Sequence, residues 1–66
     1  MKNRLKVERA EHNLSQADLA DRIGVSRQTI NSIETSRYIP STVLALKLAQ
    51  VFDRSVEQLF QLDETD

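Results

Sequence analysis

Residues 15–34 run Ser15-Gln16-Ala17-Asp18-Leu19-Ala20-Asp21-Arg22-Ile23-Gly24-Val25-Ser26-Arg27-Gln28-Thr29-Ile30-Asn31-Ser32-Ile33-Glu34, and their punctuation spells two short helices joined by a sharp turn. Ser15 and Ser26 each precede an apolar period of helical spacing and read as N-caps, whose hydroxyl oxygen accepts from a backbone N–H of the first turn. Asp18 stands at the capping-box position after Ser15, where its carboxylate reaches back to the cap's own N–H. Leu14 with Leu19, and Val25 with Ile30, have the spacing of a hydrophobic staple. Gly24, the one glycine of the chain, falls where the first of these helices must stop, and glycine takes the left-handed conformation of a C′ position without steric cost. Only Gly24-Val25-Ser26 separate the two periods, which is a helix-turn-helix pattern.

The second helix of the pair sorts its residues by face. At 3.6 residues per turn, Ile30 and Ile33 share one side, which is the buried face. Asn31, Thr35, Gln28 and Ser32 fall on the opposite, outward side, with Gln28 and Thr35 at its centre and Arg27 on its flank. An ordinary solvated face is mostly Glu and Lys. Arg, Gln and Asn are instead the side chains whose paired donors and acceptors match guanine and adenine edges in the major groove. On composition alone, a polar surface helix without a ligand remains the alternative.

Outside this pair, Ser41 and Ser55 read as two more N-caps, the latter with Gln58 at the capping-box position. The whole chain then reads as all-α, with five helices at about 3–12, 16–23, 27–35, 42–52 and 56–61. The fourth carries Leu44, Leu48, Val51 and Phe52 at i, i+4, i+7 and i+8 with Ala45 and Ala49 beside them, a core-facing stripe that Val56, Leu59 and Phe60 continue. The one strand the sequence allows is a short pairing of residues 1–4 with 60–63. Asp63 to Asp66 read as a frayed acidic tail.

The chain has 66 residues, no cysteine and a formal charge of −1. That length points to a single domain over residues 1–66. A domain of this size buries only ~60% of the surface its unfolded chain exposes, which leaves little room for an enclosed catalytic pocket. No Ser-His-Asp set, paired carboxylate, metal cluster or Gly-rich loop is legible, so the expectation is a protein that is not an enzyme and holds no cofactor or metal. His12 reads as a residue tolerated at a helix C-terminus. No apolar run approaches the ~20 residues that span a bilayer and the N-terminus has no apolar signal region, so the chain is expected in the cytoplasm. The charge is unevenly spread: residues 1–38 carry seven basic and five acidic groups, a balance of +2, and residues 39–66 a balance of −3. The N-terminal part is therefore the face suited to a polyanion. With no disulfide or metal to help a small core, a partner subunit is a reasonable source of stability.

As a set, Gln16 at the head of the first helix, Ala20 where the helices cross, Gly24 in the turn and the anchors Ile30 and Ile33 resemble the helix-turn-helix of the phage repressor and Cro family, also called the XRE family. Arg37-Tyr38 followed by Pro40-Ser41 and the leucine-rich fourth helix resembles the continuation seen in compact single-domain members, so the likeness covers about residues 3–62. The resemblance implies a lambda-repressor-like five-helix fold and a sequence-specific regulator of transcription, a repressor binding a palindromic operator in double-stranded DNA as a homodimer. It assigns Arg27, Gln28 and Asn31 to the bases, and Gln16, Ser26, Thr29, Ser32, Arg37 and Tyr38 to the phosphate or sugar backbone. Arg9 and Glu34 become an ion pair bracing the recognition helix. Dimerisation is expected through Val56, Leu59, Phe60 and Leu62.

Each assignment has a plainer alternative. Thr29, turned toward the buried side of its helix, reads equally as a partly buried residue; Arg37 and Tyr38 as a solvated loop with the ring on the core; Arg9 and Glu34 as surface charges; and the four C-terminal apolar residues as monomer core. The competing function is a protein-interaction module, such as an antitoxin or phage-type accessory protein, that keeps the fold without the DNA role. Five residues at four places depart from the family pattern. Glu8 stands where relatives place Leu or Ile, so either the first helix rotates to bury Val7 or Glu8 finds a partner at a rim. Thr35-Ser36 and Asp53 stand where Gly is common, and Ile39 replaces a frequent polar residue, losing a DNA contact or serving a protein interface.

Overall fold

The computed structural model describes all residues from Met1 to Asp66. Its elements are β1 (Lys2–Asn3), α1 (Leu5–Glu11), α2 (Gln16–Ile23), α3 (Arg27–Glu34), α4 (Thr42–Phe52), α5 (Val56–Leu59) and β2 (Phe60–Gln61). All four serines cap as their positions predict: Ser15, Ser26, Ser41 and Ser55 accept from the backbone N–H groups of Asp18, Thr29, Leu44 and Gln58. Both capping boxes close, with Asp18 and Gln58 accepting from the backbone of their caps at 3.0 and 2.8 Å. The Ser15 N–H and hydroxyl hold the exposed Asp18 carboxyl below its ordinary range. Gly24 takes φ 75°, ψ 37°. A Cβ there would meet nothing within 4 Å, so the backbone angle and not lack of room asks for glycine.

The outer helices are shorter than their apolar periods suggest, because the chain ends pair. Lys2 lies opposite Gln61 and Asn3 opposite Phe60 in an antiparallel ladder, and the Arg4 N–H donates to the Leu59 carbonyl at 2.9 Å. Residues 3 and 60–61 are thereby taken out of α1 and α5, since a backbone group committed to a ladder cannot also serve a helix. Asn3 then does two jobs with one amide. Its oxygen caps the Leu5 N–H at 3.2 Å and its amine donates to the Ile33 carbonyl at 2.9 Å, tying the N-terminal strand to the last turn of α3.

One core joins all five helices, with Leu5, Leu19, Ile30, Ile33, Leu48 and Leu59 fully enclosed. Ala20 and Ile23 of α2 are buried against α3, where a larger residue than alanine would wedge the helix pair open. Leu59 and Phe60 belong to this core. Their burial corrects the expectation that they form a dimer surface: a short C-terminal helix in so small a domain must turn its largest side chains inward.

Glu8 does not rotate outward. Val7 is 47% exposed and Glu8, at the position of an expected leucine, is 2% exposed inside the domain. Its Oε1 lies 2.9 Å from Arg54 Nε in an ion pair, so the partner exists, though Glu8 is interior and not at a rim. Its Oε2 has no partner. His12 donates from Nδ1 to the Glu8 carbonyl at 2.9 Å and meets the Phe52 ring edge-on, with centroids 5.1 Å apart. The departures from glycine keep glycine's geometry: Ser36 and Asp53 have φ of 61° and 52°. Asn13 does the same after α1 with φ 55°, at the point where the sequence places the end of the first helix.

Candidate nucleic-acid interface

The outer surface of α3 is organised in three rows. Gln28 and Thr35 face outward and are exposed. On one flank, Ser26, Thr29 and Ser32 line an open groove with Gln28, Tyr38 and Leu44, between α3 and the start of α4. On the other flank, Arg27, Asn31 and Glu34 lean toward α1 and the head of α2.

The groove flank gathers four of the residues expected at a sugar-phosphate backbone. Ser26 uses its hydroxyl oxygen to cap Thr29 and also lies 2.9 Å from Thr29 Oγ1. Thr29 is half-buried, as the plainer of its two readings has it. The loop after α3 folds back so that the N–H groups of Arg37 and Tyr38 both reach the Ser32 carbonyl, at 2.8 and 3.2 Å. This brings Tyr38 to the groove wall, 45% exposed, with its other side against a small pocket that Ile33 and Phe60 of the core also line. Arg37 beside it is exposed.

The inner flank is a hydrogen-bonded chain of fixed polarity. Arg9 donates from Nε and Nη2 to the two Glu34 oxygens at 2.8 and 3.2 Å and from Nη1 to the Leu14 carbonyl at 2.9 Å. The two-pronged contact makes this a positioned pair and not a loose surface one, and the carboxylate raises the Arg9 pKa further. Gln16 Nε2 donates to Glu34 Oε1 and to Asn31 Oδ1, both at 3.2 Å, while its own Oε1 accepts from Arg27 Nη1 at 3.3 Å. Gln16, expected at a phosphate, thus has both amide hydrogens engaged inside the protein. Its place at the head of α2 is the one the capping pattern indicates. Its partners, supplied by other segments, left no local signal.

Of the C-terminal residues expected at a dimer surface, Leu59 is enclosed, Val56 is half-buried and Leu62 is 78% exposed. Val56, with the edge of Phe60, lines a second groove with Ile39, Pro40, Ala45 and Leu46. Ile39 and Leu46 are exposed there, an apolar surface that the sequence showed only at Ile39. No helix is long and apolar enough to cross a membrane.

A three-residue turn, a polar recognition face and a rigid two-helix corner are joined by a family match: the chain matches the helix-turn-helix family over residues 5–59. The chain belongs to the XRE-type helix-turn-helix family. It is 50% identical over 66 residues to an uncharacterised HTH-type transcriptional regulator of Methanocaldococcus jannaschii, covering 100% of both chains. It is 44% identical over 64 residues to the uncharacterised HTH-type transcriptional regulator YgzD of Bacillus subtilis, covering 97% of each. Among solved structures it resembles a chain of the SinR protein/SinI protein complex, with a TM-score of 0.79, 32% identity, and 94% of this chain and 66% of that one covered. The fold shared with that helix-turn-helix chain is the five-helix architecture described above.

Proposed function

We propose that this XRE-type protein is a cytoplasmic repressor that binds a palindromic operator as a homodimer, acting by binding and not by catalysis. The observation that carries this reading is the outer surface of α3, where Arg27, Gln28 and Asn31 are all exposed on a helix held rigidly by its neighbours. These are the residue types that read base edges, and a module working only through protein contacts has no need of them. Gln28 reads one base pair at the centre of the face. Ser26, Thr29, Ser32 and Tyr38 seat a backbone strand in the flanking groove, and Arg37 supplies a phosphate contact. Two copies joined through the apolar surface of Ile39, Leu46, Val56 and Leu62 set two recognition helices about 34 Å apart, one helical turn of DNA.

Selection of random duplex DNA at low salt tests the reading, with a palindromic consensus as the expected result. Gln28→Ala relaxes preference at one base pair of each half-site, costing about 1–3 kcal/mol there. Arg37→Ala weakens all sequences alike and lowers the salt slope by about one. Failure to enrich any motif sinks the proposal, and sedimentation as a monomer at tens of micromolar sinks its dimer. The likeness to a chain solved in the SinR–SinI complex favours one second reading, that such a domain also works within a protein–protein assembly; capture of a protein partner without any DNA motif would select it.

A further inference from the structure

The loop that leaves α3 is held by contacts from outside its own segment. Residues 35–39 are all exposed, and a cavity of about 50 Å³ lies beside them, walled by Asn3, Ile33, Tyr38, Ile39 and Phe60. A segment with so little packing takes its position from hydrogen bonds. Within the loop, the Arg37 and Tyr38 N–H groups share the Ser32 carbonyl, and the Ser36 N–H donates to the Ile33 carbonyl at 3.0 Å. This exit turn places Ser36 at φ 61°, a left-handed conformation that disfavours any residue with a Cβ. Strand β1 supplies two further contacts. Asn3 donates from Nδ2 to the same Ile33 carbonyl at 2.9 Å, and the Met1 carbonyl accepts from the Ser36 hydroxyl at 3.1 Å. The Asn3 amide fits only one way round, because its oxygen faces the Leu5 N–H, which donates, and its amine faces the Ile33 carbonyl, which accepts. The strand is itself fixed by its ladder to β2.

We infer that Asn3 is a positioning residue for the DNA backbone contact: with Ser36 it makes β1 a clamp on the exit turn of α3, and the clamp sets where Arg37 and Tyr38 meet the phosphates. This inference rests on the reading that Arg37 and Tyr38 face the DNA backbone. The base readers have a different support. Arg27 and Asn31 are tied to Gln16 of α2, and Glu34 is tied to Arg9 of α1, so loosening the clamp leaves the base-reading turns in place. Base preference and phosphate grip are thus held by separate parts of the fold. A strand of two residues that touches no base takes part in binding through the loop it holds.

Asn3→Ser keeps a hydroxyl that can cap the Leu5 N–H, changes no charge and is too short to reach Ile33. With duplex DNA selected by the whole protein and measured across salt, this variant is expected to weaken all sequences alike. It should lower the salt slope by about one, as loss of a phosphate contact does, and keep the consensus. Adding Ser36→Gly should restore the slope, since glycine takes the left-handed turn without a clamp. Loss of the α1 cap could not be repaired from position 36, so the rescue separates positioning of the loop from stability of the helix. In the free protein, the backbone amides of Arg37 and Tyr38 should exchange with solvent faster in Asn3→Ser and return to the wild-type rate in the double variant, while the His12 amide inside the α1 C-terminus is unmoved. Ser36→Ala removes the Met1 contact alone and should quicken the same two amides, which tests the clamp even if Asn3→Ser fails to fold. Unchanged loop exchange in these variants overturns the inference and leaves the DNA reading intact, and so does a loss of affinity that Ser36→Gly does not restore. If Arg37→Ala leaves binding unchanged at every salt concentration, the backbone reading of this loop fails and the inference falls with it.

Discussion

Arg9–Glu34 and Arg54–Glu8 both join α1 to a distant part of the chain, yet one is complete and the other is not. Glu34 commits both oxygens to Arg9 and gives a third contact to Gln16. Glu8, more deeply buried, has one oxygen in an ion pair with Arg54 and no partner on the other. Arg9 is itself mostly covered, whereas Arg54 is 45% exposed and screened by solvent. A buried ion pair offsets its desolvation only when its remaining lone pairs and protons are also satisfied. By that criterion the pair beneath the recognition helix orients the site, and the Arg54–Glu8 pair marks a position where charge replaced an apolar residue to the detriment of stability.

The largest effect is expected from breaking the complete pair. Arg9→Met leaves Glu34 charged, 6% exposed and without its main partner, a situation that costs about 3 kcal/mol. For a chain of this size that is a large share of a total stability of about 5 kcal/mol, and urea denaturation measures it. Because Gln16 donates to that same carboxylate and also to Asn31, base preference should degrade in parallel. A loss of stability with an unchanged operator consensus would separate the pair from the reading of DNA.

The incomplete pair answers differently to its two halves. Arg54→Ala strands the buried Glu8 charge and is expected to cost about 2 kcal/mol, discounted from the fully buried case because Arg54 is half in solvent. Glu8→Leu removes the charge and the orphaned oxygen together, fills the site with the residue type the family pattern favours, and should raise stability by about 1 kcal/mol. The two halves of one pair should thus respond with opposite signs. If Glu8→Leu destabilises as much as Arg54→Ala in the same denaturation measurement, the pair is a genuine brace and the distinction from Arg9–Glu34 fails.

How far these features were legible follows from where their signals lie. Caps, the turn and the rows of α3 are encoded within a few residues, so Ser15, Ser26, Gly24 and the facing of Arg27, Gln28 and Asn31 could be read directly. The Arg9–Glu34 pair was legible only through family resemblance. Arg54 as the partner of Glu8 was not legible, because the two lie at opposite ends of the sequence and nothing local marks a long-range ion pair. Asn3 read as the start of a helix because its amide serves Leu5 and Ile33 across a strand pairing that short polar ends barely announce. Leu59 and Phe60 were assigned to a partner surface because an apolar side chain looks the same in sequence whether it faces its own core or another subunit.

The smallest expected effect concerns how Arg54 is delivered to Glu8. Arg9 projects from within α1, but Arg54 follows Asp53, which holds φ 52° as the C-cap of α4. A side chain in that left-handed region costs about 1–2 kcal/mol relative to glycine, less for Asp, whose short polar side chain is tolerated there. Asp53→Gly removes this strain but loosens the unfolded chain, so the net gain should be about 0.5 kcal/mol. The gain should appear with Glu8 in place and persist in the Glu8→Leu background if turn and ion pair are independent. Should it vanish once the ion pair is gone, the turn strain was being held by the Arg54 contact, and the two features form one unit.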